Sequence, residues 1–213
     1  MRDAPHTDIS ATADPRLEAQ FAFLNEADRL KSVLRATTLC DGTRRENTAE
    51  HSWHVALYAL VLADQAGADV NIDRVIKMML LHDLVEIDVG DVPIHSGEGH
   101  AHHSIQTQSL EAKAADRIFA LLPEDQAKAF RALWDEFEAA QTPDARFAKS
   151  LDRVQPVMAN LQADGGSWRE YNVTYPQLEA RVGDKIARGA PRLWAWVKSQ
   201  VQAHPWFAKD RKP

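Results

Sequence analysis

A single cysteine, Cys40, stands in a chain of 213 residues, which excludes an intrachain disulfide and a zinc ribbon built on CxxC pairs. Long apolar runs are missing too. The longest, VALYALVLA at Val55–Ala63, is far too short to span a bilayer. The opening MRDAPHTDISATADP is polar and lacks the apolar core of a signal peptide, so a reducing cytoplasm is the expected location. Positive charge is scarce: 25 Lys and Arg face 31 Asp and Glu, a formal charge of −6. Such a balance gives no general attraction to nucleic acid or to anionic membranes. An anionic substrate must then be drawn by something local, such as a metal. No segment alternates with the period of two that marks a half-buried strand, and no internal repeat is present.

What the chain does have is helical periodicity. Hydrophobic residues at 45% and charged ones at 26% suit a soluble globular protein, and the length suits one domain, 1–213, with residues 1–14 as a flexible tail. Asp14-Pro15 forms a helix start, with an N-cap followed by proline. Leu17, Phe21, Leu24, Ala27, Leu30 and Leu34 then recur as one apolar stripe. Asn47 and Glu50 have the spacing of a capping box and open a second helix, apolar nearly all round from Val55 and therefore expected at the centre. A third helix is expected from Asn71-Ile72 to near Gly90. VPIHSGEGHAHH reads as a loop, followed by helices over Ser104–Leu122, from Pro123, from Thr142-Pro143, near Pro176–Arg188 and over Pro191–Ala203. The expected fold is an all-α, single-domain helical bundle. The tryptophans of the tail, Trp194, Trp196 and Trp206, suit core packing or a face hidden in a homodimer.

The third helix carries a conflict. MLLHDLVEIDVGD, Met79–Asp91, continues an apolar run yet delivers His82, Asp83, Glu86, Asp88 and Asp91. Buried carboxylates are paired or bound to a metal, because stranding them in an apolar interior is costly. His51, in the first turn of the second helix, and Asp152, in the helix after Thr142-Pro143, are further residues of ligand type. Each has an ordinary alternative: His51 as a cap, His82-Asp83 as a common dipeptide, Asp152 as the ion-pair partner of Arg153 or Lys149. Two imidazoles and two carboxylates together suit a borderline divalent ion such as Mn, Co, Ni, Fe or Zn.

The segments ENTAEHSWHVA (Glu46–Ala56), LLHDLVEIDVGDVP (Leu80–Pro93) and KSLDRVQPVMANLQADGGSWRE (Lys149–Glu170) together resemble the HD-domain metal-dependent phosphohydrolases, in particular their bacterial 5′-deoxynucleotidase branch. The metal-site positions within them fall in 47–155. The resemblance implies a helical bundle around one metal ion held by His51, His82, Asp83 and Asp152. It further implies Glu86 as the acid or base acting through water, Asp91 assisting catalysis or binding the sugar, and Arg35 gripping the phosphate. Arg44 and Arg45 are competitors for that last role. Asp88 has no counterpart and is read as surface, as are Glu111 and Lys113. The branch's aromatic residue after the arginine is absent here, where the chain reads RATTL (Arg35–Leu39). The His95, His100, His102 and His103 loop reads as a mobile segment or a second metal site. The implied activity is hydrolysis of nucleoside 5′-monophosphates, deoxyribonucleotides preferred. The alternatives are cleavage of a triphosphate, cyclic nucleotide or other phosphoester, or a non-catalytic binding protein.

Overall fold

The computed structural model describes residues 14–96 and 104–208. The first thirteen residues, taken from sequence as part of a tail, lie outside that range, as do His100, His102 and His103. Helix α1 (Pro15–Asp28) starts as expected, with the Asp14 carboxylate accepting from the N–H groups of Arg16 and Leu17. Its buried face is not the expected one. Phe23 is buried, whereas Leu17, Phe21 and Leu24 of the expected stripe are exposed; Leu30, also of that stripe, is buried on the turn beyond the helix. The helix also stops early: a 3-10 turn (Arg29–Ser32) leads into strand β1 (Leu34–Thr38), so Leu34, the last residue of the expected stripe, lies on a strand and is exposed.

Strand β1 pairs antiparallel with β2 (Arg45–Asn47), with Leu34 opposite Asn47 and Thr38 opposite Arg45. Gly42, at φ 71°, supplies the left-handed turn between them. This ribbon is the one sheet among the described residues. It follows directly from the broken helix, and it carries Arg35 into the cleft.

Helix α2 (Thr48–Val61) begins at the anticipated capping box: Asn47 accepts from the Glu50 N–H, and the Glu50 carboxylate accepts from the Asn47 N–H. It covers one side of the core instead of forming its centre. Val55 and Ala59 are fully buried, while Trp53, Leu60 and Val61 are more than half exposed. Helix α3 (Ile72–Leu81) ends at His82, and a turn precedes the short α4 (Glu86–Val89), which stops at Gly90 with φ 73°. The continuous helix expected to Gly90 is therefore broken at the His-Asp pair. After α5 (Ile105–Phe119) and α6 (Glu124–Ala139), α7 (Pro143–Gln162) takes the central position, capped by Thr142. The remaining helices are α8 (Gly166–Glu170), α9 (Tyr175–Leu178), α10 (Asp184–Gly189), α11 (Pro191–Ala203) and α12 (Pro205–Ala208), and a π-helical segment, Glu179–Gly183, joins α9 to α10.

Two buried clusters support the site. The larger joins α2, α3, α7, α10 and α11 through residues such as Met78, Phe147, Leu151, Ile186 and Val197. The smaller joins α1, α5, α6 and the turn after α3 through Phe23, Leu84, Ile118, Phe119 and Trp134. Leu133 packs against both. Trp194 belongs to the larger cluster and Trp206 packs against it, while Trp196 is half exposed. No helix among the described residues is long and apolar enough to cross a membrane.

Candidate metal centre and its cleft

Three elements bring the ligand-type residues together. His51 sits on the first turn of α2, fixed there by the cap at Asn47. His82 and Asp83 occupy the turn where α3 ends. Asp152 lies midway along α7, four residues before Pro156. A proline there lacks the N–H that would bond the Asp152 carbonyl, so the ladder is interrupted beside this carboxylate.

His51 Nε2 lies 3.1 Å from Asp152 Oδ1 and 3.7 Å from Asp83 Oδ2. His82 Nε2 lies 3.1 Å from Asp83 Oδ2 and 3.6 Å from Asp152 Oδ1. Donors held about 2.1 Å from a shared ion stand roughly 3 Å or slightly more from one another, so this spacing suits a divalent metal. The chemistry of the donors agrees. The Nδ1–H of His82 donates to the Met79 carbonyl at 2.8 Å, while its buried Nε2 makes no hydrogen bond. The Nδ1–H of His51 donates to Gln155 Oε1 at 2.9 Å, and Gln155 Nε2 in turn donates to Glu46 Oε2 at 3.1 Å. Both imidazoles thus present Nε2 to the same point, held by partners on the far side of the ring.

The electrostatics also favour a cation there. Burial pulls the His82 imidazolium down, but the Asp83 and Asp152 carboxylates outweigh it and lift His82 to about 10. Asp83 is held below its ordinary value by His82 and Arg35 against the cost of burial. Asp152 is lowered further, against burial, by Arg153 and both imidazoles. A divalent ion would supply the positive charge that a protonated His82 otherwise provides.

Glu86 and Asp91 line the cleft beside this centre. Glu86 Oε2 accepts from the Thr48 hydroxyl at 2.8 Å, and burial followed by the Asp83 charge pushes Glu86 well above its ordinary value. Asp91, beyond the Gly90 turn, is also raised by burial, with Arg35 opposing. Arg35 reaches in from β1: its Nη1 lies 3.1 Å from Asp83, 3.2 Å from Asp91 and 3.7 Å from Glu86, and its Nε 3.5 Å from Glu46. All seven residues singled out from sequence therefore converge. The other arginines considered do not join them: Arg44 pairs with Glu50 and Arg45 with Glu170 at the surface. Asp88 is exposed and bonded to Arg117.

Four cleft or supporting residues escaped the sequence reading. Gln155, Glu46 and Thr48 act through their partners, and only Gln155, three residues after Asp152 inside LDRVQP, had a signal in its spacing. The fourth is a correction. Glu111, read as surface, lines the cleft from α5, where burial and then the Glu138 charge raise it to about 7. Lys113 is exposed, as expected. His95 also lines the cleft.

Fold and site together define an all-α protein built around a divalent-metal centre. The HD-domain family profile matches residues 27–194, and the chain belongs to that family. Among curated proteins, the human 5′-deoxynucleotidase HDDC2 is 31% identical over 141 residues, covering 64% of this chain and 64% of that protein. The 5′-deoxynucleotidase YfbR of Shigella flexneri is 27% identical over 167 residues, covering 76% of this chain and 83% of that protein. The chain spans 64%, 63% and 65% of the human, bovine and mouse HDDC2 proteins it matches. Among solved structures, a predicted metal-dependent phosphohydrolase of Magnetospirillum magnetotacticum is 44% identical. It superposes with a TM-score of 0.84 over 92% of this chain and 100% of that one.

Proposed function

We propose that the chain is a metal-dependent phosphomonoesterase that hydrolyses nucleoside 5′-monophosphates, deoxyribonucleotides preferred, to nucleoside and phosphate. The observation that carries this reading is the convergence of His51, His82, Asp83 and Asp152 from three helices, with the raised Glu86 carboxyl in the same cleft. The names of the relatives support the monophosphate and deoxyribose choices. His51, His82, Asp83 and Asp152 would hold one ion from the group Mn, Co, Ni, Fe and Zn. When bound, that ion supplies Lewis-acid polarisation of a phosphoryl oxygen and lowers the pKa of water.

The chain's own groups do the rest. Arg35 balances the acids of the cleft and meets charge on the phosphoryl oxygens. Glu86, raised by burial, would in its protonated form give its proton to the departing 5′-oxygen, or in its ionised form take one from water. Asp91 orients the sugar or assists the proton transfer. Thr48 fixes the Glu86 carboxylate through its hydroxyl. The test is a panel of 2′-deoxy and ribo 5′-monophosphates, triphosphates and cyclic nucleotides, assayed with each divalent ion. Phosphate released from monophosphates alone, faster from the deoxy forms, is the expected result. Turnover confined to triphosphates or cyclic nucleotides would refute the reading.

A further inference from the structure

Cations stand on both sides of the cleft. On one side Arg35 stands among Glu46, Asp83, Glu86 and Asp91, so its charge is largely answered by acids of the protein itself. A dianionic phosphoryl group approaching that side meets carboxylates as well as the guanidinium. The other side is built by α7. Lys149 and Arg153 are four residues apart, which places them on one helix face, and both line the cleft. Arg153 directly follows the ligand-type residue Asp152, with its Nε 3.7 Å from Asp152 Oδ2. Lys149 donates to Glu138 at 2.8 Å, and Lys185 approaches from α10, packed against α7.

We infer that Arg153 is an anion-binding residue of this cleft, a second guanidinium contact to the substrate's phosphoryl group from the Asp152 side, with Lys149 and Lys185 strengthening the positive potential around it. The planar guanidinium fork matches two phosphoryl oxygens at once, which a lone ammonium cannot do. The titration of the surroundings agrees with concentrated positive charge. Lys185 is pushed down to about 8 by burial and then by Arg153 and Lys149. His95 is pushed down to about 4 by burial and then by Arg181 and Arg153. Positive charge close enough to add to the effect of burial on Lys185 and His95 makes a site that an anion relieves.

This inference rests on the phosphomonoesterase reading, and the test separates the two. The full chain loaded with Mn or Co, and its R153Q and R153K variants, are titrated with inorganic phosphate by calorimetry and assayed on a deoxynucleoside monophosphate. Bound metal and melting temperature are measured alongside. R153Q is expected to bind phosphate about tenfold more weakly or worse, the loss typical of a hydrogen bond to a charged group. KM should rise in parallel while bound metal stays at the wild-type level, and R153K should recover part of the affinity. Unchanged phosphate affinity and KM in R153Q overturn the inference while leaving the proposed activity standing. Loss of metal from R153Q also overturns it, because Arg153 would then be a support for Asp152. If R153Q does not fold, R153K decides, and an affinity equal to wild type counts against the fork. A wild-type protein that binds phosphate through Arg153 but cleaves no monophosphate keeps the inference and refutes the activity. One that does neither refutes both.

Discussion

Asp83 and Glu86 stand three positions apart, and their carboxyls are shifted in opposite directions. Asp83 is held below its ordinary value by His82 and Arg35, whereas Glu86, bonded to Thr48, is raised by burial. Their replacements should fail differently. Asp83→Asn should abolish both metal retention and turnover, read by elemental analysis and phosphate release. Glu86→Ala should keep the metal and lower kcat by about 10²–10⁴-fold, the range for loss of a general acid or base. Full activity in that variant would dismiss the assignment. Glu111 offers a separate test. Its pKa, raised to about 7, lies above the unfolded value, so the folded chain binds the proton more tightly than the unfolded one. Stability should therefore be fully present below the unfolded value near 4.5 and decline as pH rises through about 7. Glu111→Gln should flatten that decline in melting temperature. Glu111 was illegible in the sequence because its helix position looks like an ordinary surface site. What matters is which wall α5 faces, and that is set by packing on α6 and α4. The candidate ligands were legible as a set because ligand chemistry restricts them to few residue types in recognisable motifs. Gln155 and Glu46 were not, since a supporting hydrogen bond can come from many side chains.

At the scale of elements, end signals read better than faces. Asn47, Thr142 and Asp14 cap helices where their chemistry demands, because capping is local: a side-chain oxygen and N–H groups two or three residues on. The β1–β2 ribbon could not be seen, since three- and five-residue strands leave too little pattern to outweigh a plausible helical stripe. The same stripe misled about α1, whose buried residue is Phe23. One contact between elements makes a sharp prediction. Gly189 closes α10 against α7, where an added Cβ would overlap the Arg146 carbonyl, a backbone group with little freedom to move. Ser150, beside it, donates to the Ile186 carbonyl at 3.0 Å. Gly189→Ala should therefore destabilise the fold by about 1–3 kcal/mol, the usual cost of overpacking, measured by denaturant unfolding. A neutral result would mean that α10 can shift on α7 without loss.

Across the whole molecule, the residues facing the metal position come from α2, the end of α3 and α7, all members of or neighbours to the larger core. An ion bound only by the folded chain stabilises it by about 4 kcal/mol at a thousandfold excess over its Kd. For a protein of this length that corresponds to roughly 10 °C in Tm. Chelation should lower the melting temperature by about that amount, and re-addition of the ion should restore it. An unchanged Tm would mean that the core holds the four side chains in place without help.

The distances along the chain carry a further consequence. His51 and Asp152 are separated by 101 positions, so no partly folded segment holding one of them can offer the other. Closing so long a loop is slow compared with forming any single helix. An ion held by these side chains would have nothing complete to grip until the three helices have met, and its stabilisation would be absent while they are still apart. It should act mainly as a latch: the rate of unfolding falls when it is bound, the rate of folding hardly changes, and its own escape keeps time with the opening of the bundle.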